Sequence, residues 1–200
     1  SRVQFENLIT AISTEFIHLA PEDLDSGIKE VLKKIGKIAG ADHSAVFLFK
    51  NDHGSNAHEW CARGIPSIKD KMQNVPIRSF PWSMDKLSQG ENIRIQRVQD
   101  LPPEARAEKE FLQDLRLKSF VAVPMVLHNS LIGFLGFDST RREKAWSERT
   151  LTLLKIVGEI FVNALERKRS EQGLEESETK YRALFEGVPV GLYRTSPEGR

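Results

Sequence analysis

The chain has 200 residues, 40% apolar and 28% charged, with a formal net charge of +1 and a single cysteine. That length holds one sizeable domain with a helix to spare, and charges so nearly balanced leave no basic footprint for nucleic acid. No apolar run approaches the roughly 20 residues of a membrane span, so no membrane contact is expected, and the lone Cys61 excludes an internal disulfide framework and a cysteine zinc cluster.

In chain order, Phe5, Leu8, Ile9, Ile12, Phe16 and Leu19 recur at helical spacing and predict an amphipathic helix that stops before Pro21. Ile28, Val31, Leu32, Ile35 and Ile38 make a second stripe, with Gly40 where a C-cap belongs. Ala45 to Lys50 reads as a strand, Asn51 to Asn56 as turn chemistry, and His58 to Gly64 as the returning strand of a hairpin. Between Ile65 and Asn92 three prolines interrupt the pattern; a brief strand is expected near Val75 to Arg78 and a helical turn or two near Met84 to Ser88. Glu91 to Val98 alternates as a half-buried strand does, and Pro102 and Pro103 start a helix whose Phe111, Leu112 and Leu115 face inward.

Ser119 to Leu127 and Leu131 to Asp138 are apolar runs divided by His128, Asn129 and Ser130, a hairpin expected at the centre of the sheet. Pro124 cannot donate to a ladder and predicts a bulge or an edge-facing position. Gly133 and Gly136 mark close approach, either of a backbone or ligand or of a packed helix.

A long helix follows from Ser147. Leu153, Ile156, Ile160, Asn163, Arg167, Ser170, Leu174, Ser177, Tyr181, Leu184 and Val188 step by threes and fours, a coiled-coil seam that is polar through its middle. Leu151, Leu154, Val157, Phe161 and Leu165 make a second apolar face. Two such faces need two partners, the chain's own sheet and something else, most simply another copy. From Arg167 to Arg182 the composition turns charged, and Gly173 predicts a soft point or a break. Both ends, Ser1 and the unfinished run after Leu184, are expected to be cuts from something longer.

The leading helices, the Ala45–Phe49 strand, HEWCARGI, Trp82, the DLP turn, LKSFVAVPM, LIGFLGFDS and Trp146-Ser147 together resemble a GAF domain over about Phe5 to Arg169. The stretch SETKYRALFEGVPVGLYRTSPEG looks like the first helix and strand of a PAS domain. The resemblance implies an α+β fold: an antiparallel sheet of about six strands, flanked by N- and C-terminal helices, with a long C-terminal connector helix. It implies a GAF domain over 1–169, a charged connector over 170–182 and the truncated start of a PAS domain over 183–200. It further implies a cytoplasmic, non-catalytic sensory module, homodimeric through its terminal helices and passing a signal to an output domain of the same chain. That output would be a sensor histidine kinase of a two-component system, or a cyclic-di-GMP synthase (GGDEF) or phosphodiesterase.

Phe47, Phe49, Trp60, Trp82, Met84, Ile95, Phe111 and Val121 come from segments expected to converge on a ligand pocket, with plain core packing as the alternative. Arg63, Arg78 and Arg94 could add an anion-binding edge if their strands turn inward. The ligand stays unnamed, and no cofactor is assigned. Leu153, Ile156, Ile160, Asn163, Arg167, Leu174 and Tyr181 are the dimer and connector candidates. The histidines show no metal spacing, no catalytic set emerges, and Cys61, followed by Ala62, does not fit bilin attachment. A free methionine sulfoxide reductase would need more than one reactive cysteine, and a ligand-free dimerisation module is the third alternative.

Overall fold

The computed structural model describes residues 2–186. Six strands, β1 (His43–Lys50), β2 (His53–Cys61), β3 (Val75–Pro76), β4 (Ile93–Ile95), β5 (Ser119–Leu127) and β6 (Ser130–Ser139), form one antiparallel sheet in the order β3-β2-β1-β6-β5-β4. The hairpin turns are tight because Asn51 and Asp52, at φ 49° and 60°, and His128 and Asn129, at 47° and 61°, supply the positive φ pair of a two-residue turn. The turn expected over residues 51–56 therefore shrinks to two residues, and β2 is already under way at His53.

β1 and β6 hold the centre of the sheet, while β5 lies one strand further out. Pro124 is accommodated because β4 pairs only as far as Ala122, so at Pro124 the strand has a neighbour on the β6 side alone. The bulge of this ladder lies beyond Pro124 and on the other strand, where Ile132 of β6 is an extra residue opposite Met125 and Val126. A Cβ on Gly133 would come within 2.1 Å of the Phe47 carbonyl oxygen, which identifies the close approach there as backbone.

One face of the sheet is roofed by α1 (Arg2–His18), α2 (Leu24–Ala39) and the first turns of α5 (Glu148–Glu186). Ile28, Val31, Leu32 and Ile35 of α2 are fully buried, and Gly40 caps the helix at φ 61° by donating to Gly36 and Lys37. Ile38 leaves the expected stripe and is 62% exposed, since at 3.6 residues per turn it has rotated to the edge of the face shared by Ile28, Val31, Leu32 and Ile35. Phe16 of α1 packs on Phe161 of α5 at 5.4 Å between ring centres, and Gly158 lies over Val123, Met125 and Leu135. On the other face α3 (Pro81–Ser88) and α4 (Arg106–Asp114) close a second apolar cluster around Leu87, Ile93, Ile95, Leu112 and Leu115.

Asp42 ties the ends of β1 and β6 together. Its buried carboxylate accepts from the N–H of Thr140 (2.8 Å) and of Arg141 (2.9 Å) and from the Ser139 hydroxyl. Burial works against that charge, but these donors and the Arg141 guanidinium hold its carboxyl below the usual carboxylate range.

The chain divides into a unit of residues 1–164, which contains the sheet, and a unit of residues 165–200. In the second unit α5 runs through Gly173 without a break, and its side chains are exposed from Arg169 to Arg182. The expected PAS start, 183–200, lies outside the described residues except for the last helical backbone to Glu186. Val188 of the seam lies outside them too.

Candidate functional site

Strand phase decides what faces where. On β1 the even positions face the roof: Ser44 Oγ donates to Leu32 O of α2 (2.8 Å) and Val46 is fully buried. Ala45, Phe47 and Phe49 face the other way, together with Phe134, Gly136 and Asp138 of β6. Phe47 stacks on Phe134 at 5.0 Å and 17°, and Phe120 meets Phe134 edge-on at 6.0 Å. Between this aromatic floor and α3 and α4 lies a cavity of about 100 Å³.

Five of the eight pocket candidates, Phe47, Phe49, Met84, Ile95 and Phe111, line that cavity. Trp82 packs against the same apolar cluster without reaching the lining. Trp60 and Val121 are corrected to the opposite face. A bulge opposite Val46 and Phe47 leaves Ala57 as an extra residue in β2, and this reverses the phase of everything beyond it. Trp60 consequently lies against Gly36 of α2, where a Cβ would come within 2.6 Å of its ring, and borders a surface groove with Asp42 and Arg141. Val121 pairs with Phe137 and shares the phase of Val123 beneath α5. Arg94 pairs opposite Val121, so it too leaves the cavity side, and its guanidinium binds Glu148. Arg63 and Arg78 are exposed and outside the lining.

Four polar residues reach the cavity: Asn56, Ser83, Glu108 and Asp138. Glu108, 3% exposed, accepts the Ser83 N–H at Oε1 (2.9 Å), while its Oε2 has no partner. Asn56, 1% exposed, donates from Nδ2 to Glu59 Oε1 (3.1 Å), and its Oδ1 likewise has none. The carboxylate of Glu59 only accepts, which fixes the orientation of the Asn56 amide. A buried acceptor left unpaired costs roughly 1–3 kcal/mol, more when charged.

Asp138 is engaged by His43, whose Nδ1 lies 2.6 Å from its carboxylate and whose Nε2 lies 2.9 Å from Pro66 O. Both partners are acceptors, so both ring nitrogens carry hydrogen. Burial pulls His43 down and pushes Asp138 up, but the bond and charge of Asp138 prevail at His43, whose pKa stands at about 9.

Beside this pair, ligand atoms of His43, Glu59 and Cys61 fall within 4.8 Å of one another. The chemistry is wrong for a metal: both His43 nitrogens are committed to oxygen, and the Cys61 thiol donates to Glu59 Oε2 (3.3 Å). Burial and the Glu59 charge push that thiol up to about 12, which also sets it against thiolate redox chemistry.

Two of these groups carried a signal in the sequence. Glu108 sits three and four residues before Phe111 and Leu112, on the buried face of α4, and Asp138 continues the phase of Phe134 and Gly136. Asn56 carried none while residues 51–56 read as a turn; the two-residue turn of the structure sets it opposite Phe47 and so inward.

Of the helix candidates, Leu153 is corrected: it is 2% exposed, buried within its own unit and so unable to face a partner. Ile156 and Ile160 are half-buried and Asn163 is exposed. In the second unit Arg167 is half-buried, and Leu174 and Tyr181 are 63% and 65% exposed. No helix among the described residues is long and apolar enough to cross a membrane.

The GAF domain family profile matches residues 23–165. The methanogenesis regulatory histidine kinase FilI of Methanothrix harundinacea is 27% identical over 176 residues, which cover 84% of this chain and 19% of that protein. Among solved structures, the phycocyanobilin-bound GAF domain of a cyanobacterial phytochrome superposes with a TM-score of 0.70 at 19% identity, covering 84% of this chain and 96% of that one. The chromophore-binding domain of the bacteriophytochrome RpBphP3 from R. palustris gives 0.69 at 15% identity, covering 86% and 63%.

A bilin does not fit the residues present. The cavity, at about 100 Å³, falls below the roughly 300–1,000 Å³ of ordinary ligand pockets. The chain's one thiol, Cys61, is outside the lining, protonated and bonded to Glu59.

Proposed function

The chain belongs to the GAF domain family, and on that premise we propose that it serves as a non-catalytic sensory module of a cytoplasmic signalling protein. A small molecule enters the cavity between the sheet and α3 and α4, and α5 carries the response toward an output domain of the same chain. The observation that supports this most is α5 itself. Leu151, Leu154, Val157 and Phe161 bury it in the roof of the sheet, and the same helix continues into a charged stretch that ends at Glu186. The cavity is on the opposite face, so the coupling runs through the sheet: Phe120 and Phe134 of β5 and β6 face the cavity while Val123 and Leu135 of the same strands pack under α5, and a shift of these strands moves both.

The output we favour is a histidine kinase, because the FilI relative is one. A PAS domain beginning near residue 183 would stand between. We further propose a homodimer in which Ile156, Ile160, Asn163, Leu174 and Tyr181 form the seam. Its charged middle makes it a weak coiled coil whose alternative packings differ by only a few kcal/mol.

The test is disulfide crosslinking in a Cys61→Ser background. Single cysteines at Ile160, Asn163 and Leu174 are expected to crosslink, and cysteines at Glu159 and Gln172 to stay monomeric. A flat profile across the five positions refutes the dimeric relay.

A further inference from the structure

The cavity combines three features that together specify a ligand chemistry. Its floor is aromatic: Phe47, Phe49, Phe120 and Phe134 present ring faces and edges. Two of its fully buried polar atoms, Glu108 Oε2 and Asn56 Oδ1, have no partner; both are acceptors, and both residues are more than nine-tenths buried. No Lys, Arg or His among the described residues forms an ion pair with Glu108, whereas the other lining carboxylate, Asp138, already has His43. What is lacking is a donor with positive charge.

We infer that this cavity binds a small ammonium-bearing molecule with a compact apolar body, its nitrogen donating to Glu108 and Asn56 and its carbons seated on the phenylalanine floor. The inference builds on the sensory reading and supplies its ligand class. An ammonium carries three donors, enough for both orphan acceptors, pairs the unpaired carboxylate, and is attracted to the ring faces. An anion would meet the unpaired carboxylate of Glu108 and is excluded by like charge, and a neutral alcohol can donate only one hydrogen bond. At about 100 Å³ the space equals roughly three waters' worth of liquid volume. Atoms bonded to one another pack more closely than separate waters, so that space admits a molecule of about five heavy atoms. Met72 and Met84 in the wall can give way for a slightly larger one.

The experiment compares three molecules that share a branched four-carbon skeleton, isobutylammonium, isobutanol and isobutyrate, against the 200-residue chain with methyl-labelled methionines. Isobutylammonium is expected to saturate with half-binding below about 1 mM, to raise the melting temperature, and to shift the Met72 and Met84 methyl resonances. Isobutanol should bind at least tenfold more weakly and isobutyrate not at all. Glu108→Gln is expected to weaken the ammonium at least tenfold. Because Glu108 also holds the Ser83 N–H of α3, Asn56→Leu is the second variant, expected to weaken it several-fold with α3 undisturbed. If isobutanol or isobutyrate binds as well as the ammonium, or if neither variant changes its binding, the ligand class is wrong while the cavity still receives small molecules. If none of the three moves the methionine methyls at 10 mM and the cavity holds only water, the inference and the ligand-sensing half of the proposed function both fall. The crosslinking profile tests the relay separately.

Discussion

Raising the pH from 6.5 to 9.5 is expected to remove about 3 kcal/mol of folding stability through a single buried histidine. His43 has an ordinary value of 6.5 in the unfolded chain and about 9 in the fold, where Asp138 and Pro66 O accept from its two nitrogens. A tenfold difference in proton affinity is about 1.4 kcal/mol, so the gap corresponds to about 3 kcal/mol. The sign follows from proton linkage. Below pH 6.5 both states hold the proton and the contribution is complete; between 6.5 and about 9 only the folded state holds it, so each pH step weakens the fold; above 9 the contribution is gone. Ordinary domain stability is roughly 5–15 kcal/mol, so the loss is large enough to measure. His58 acts with the opposite sign: burial lowers it, so its contribution is present above 6.5 and lost as the pH falls through its folded value. The Cys61 thiol, held at about 12, weakens the fold only where the unfolded thiol ionises, near pH 9 and above. Asp138, raised by burial, acts with the same sign as its partner, so the window from pH 7 to 8.5 reads the His43–Asp138 pair. Urea unfolding followed by tryptophan fluorescence across that window gives the slope, and His43→Gln should flatten it. A flat wild-type profile, or an equal slope in the variant, refutes the assignment.

Phe161→Ala removes a fully buried ring that packs on Phe16 and should cost about 3–5 kcal/mol in urea unfolding. The double variant with Phe16→Ala should then cost less than the sum of the two. Gly133→Ala places a Cβ 2.1 Å from a backbone oxygen of β1 and is expected to lose about 3 kcal/mol or more, or to yield no folded protein. Gly173→Ala, with nothing within 4 Å, should instead strengthen α5 by about 0.5–1 kcal/mol, read as a gain in helical circular dichroism on partial heating. At pH 8 Cys61 should react with iodoacetamide at least about a hundredfold more slowly than free cysteine. Comparable rates would show a thiol far less perturbed than its contact with Glu59 implies.

The sequence by itself determined the elements and their class. Helical stripes gave α1 and α2, with Gly40 as the cap; alternation and turn residues gave the β1–β2 and β5–β6 hairpins; the run from Ser147 gave a helix that outlasts its domain. Those signals are local, set by neighbours a few residues away, and a chain carries them wherever it folds. Strand phase across a bulge is different. A single extra residue at Ala57 sends Trp60 to the roof, while Asn56 before it keeps the phase of Phe47 and faces the cavity, and nothing near those residues in the chain announces the change. Leu153 looks like half of a seam until its own core covers it, and Glu108 looks like one more helical charge until α3 packs over it. Which apolar residue is spent on the core, and which buried acceptor stays unpaired, depends on elements brought together from distant parts of the chain. Only the tertiary structure decides that, because burial and desolvation are properties of the assembled packing and not of any one segment.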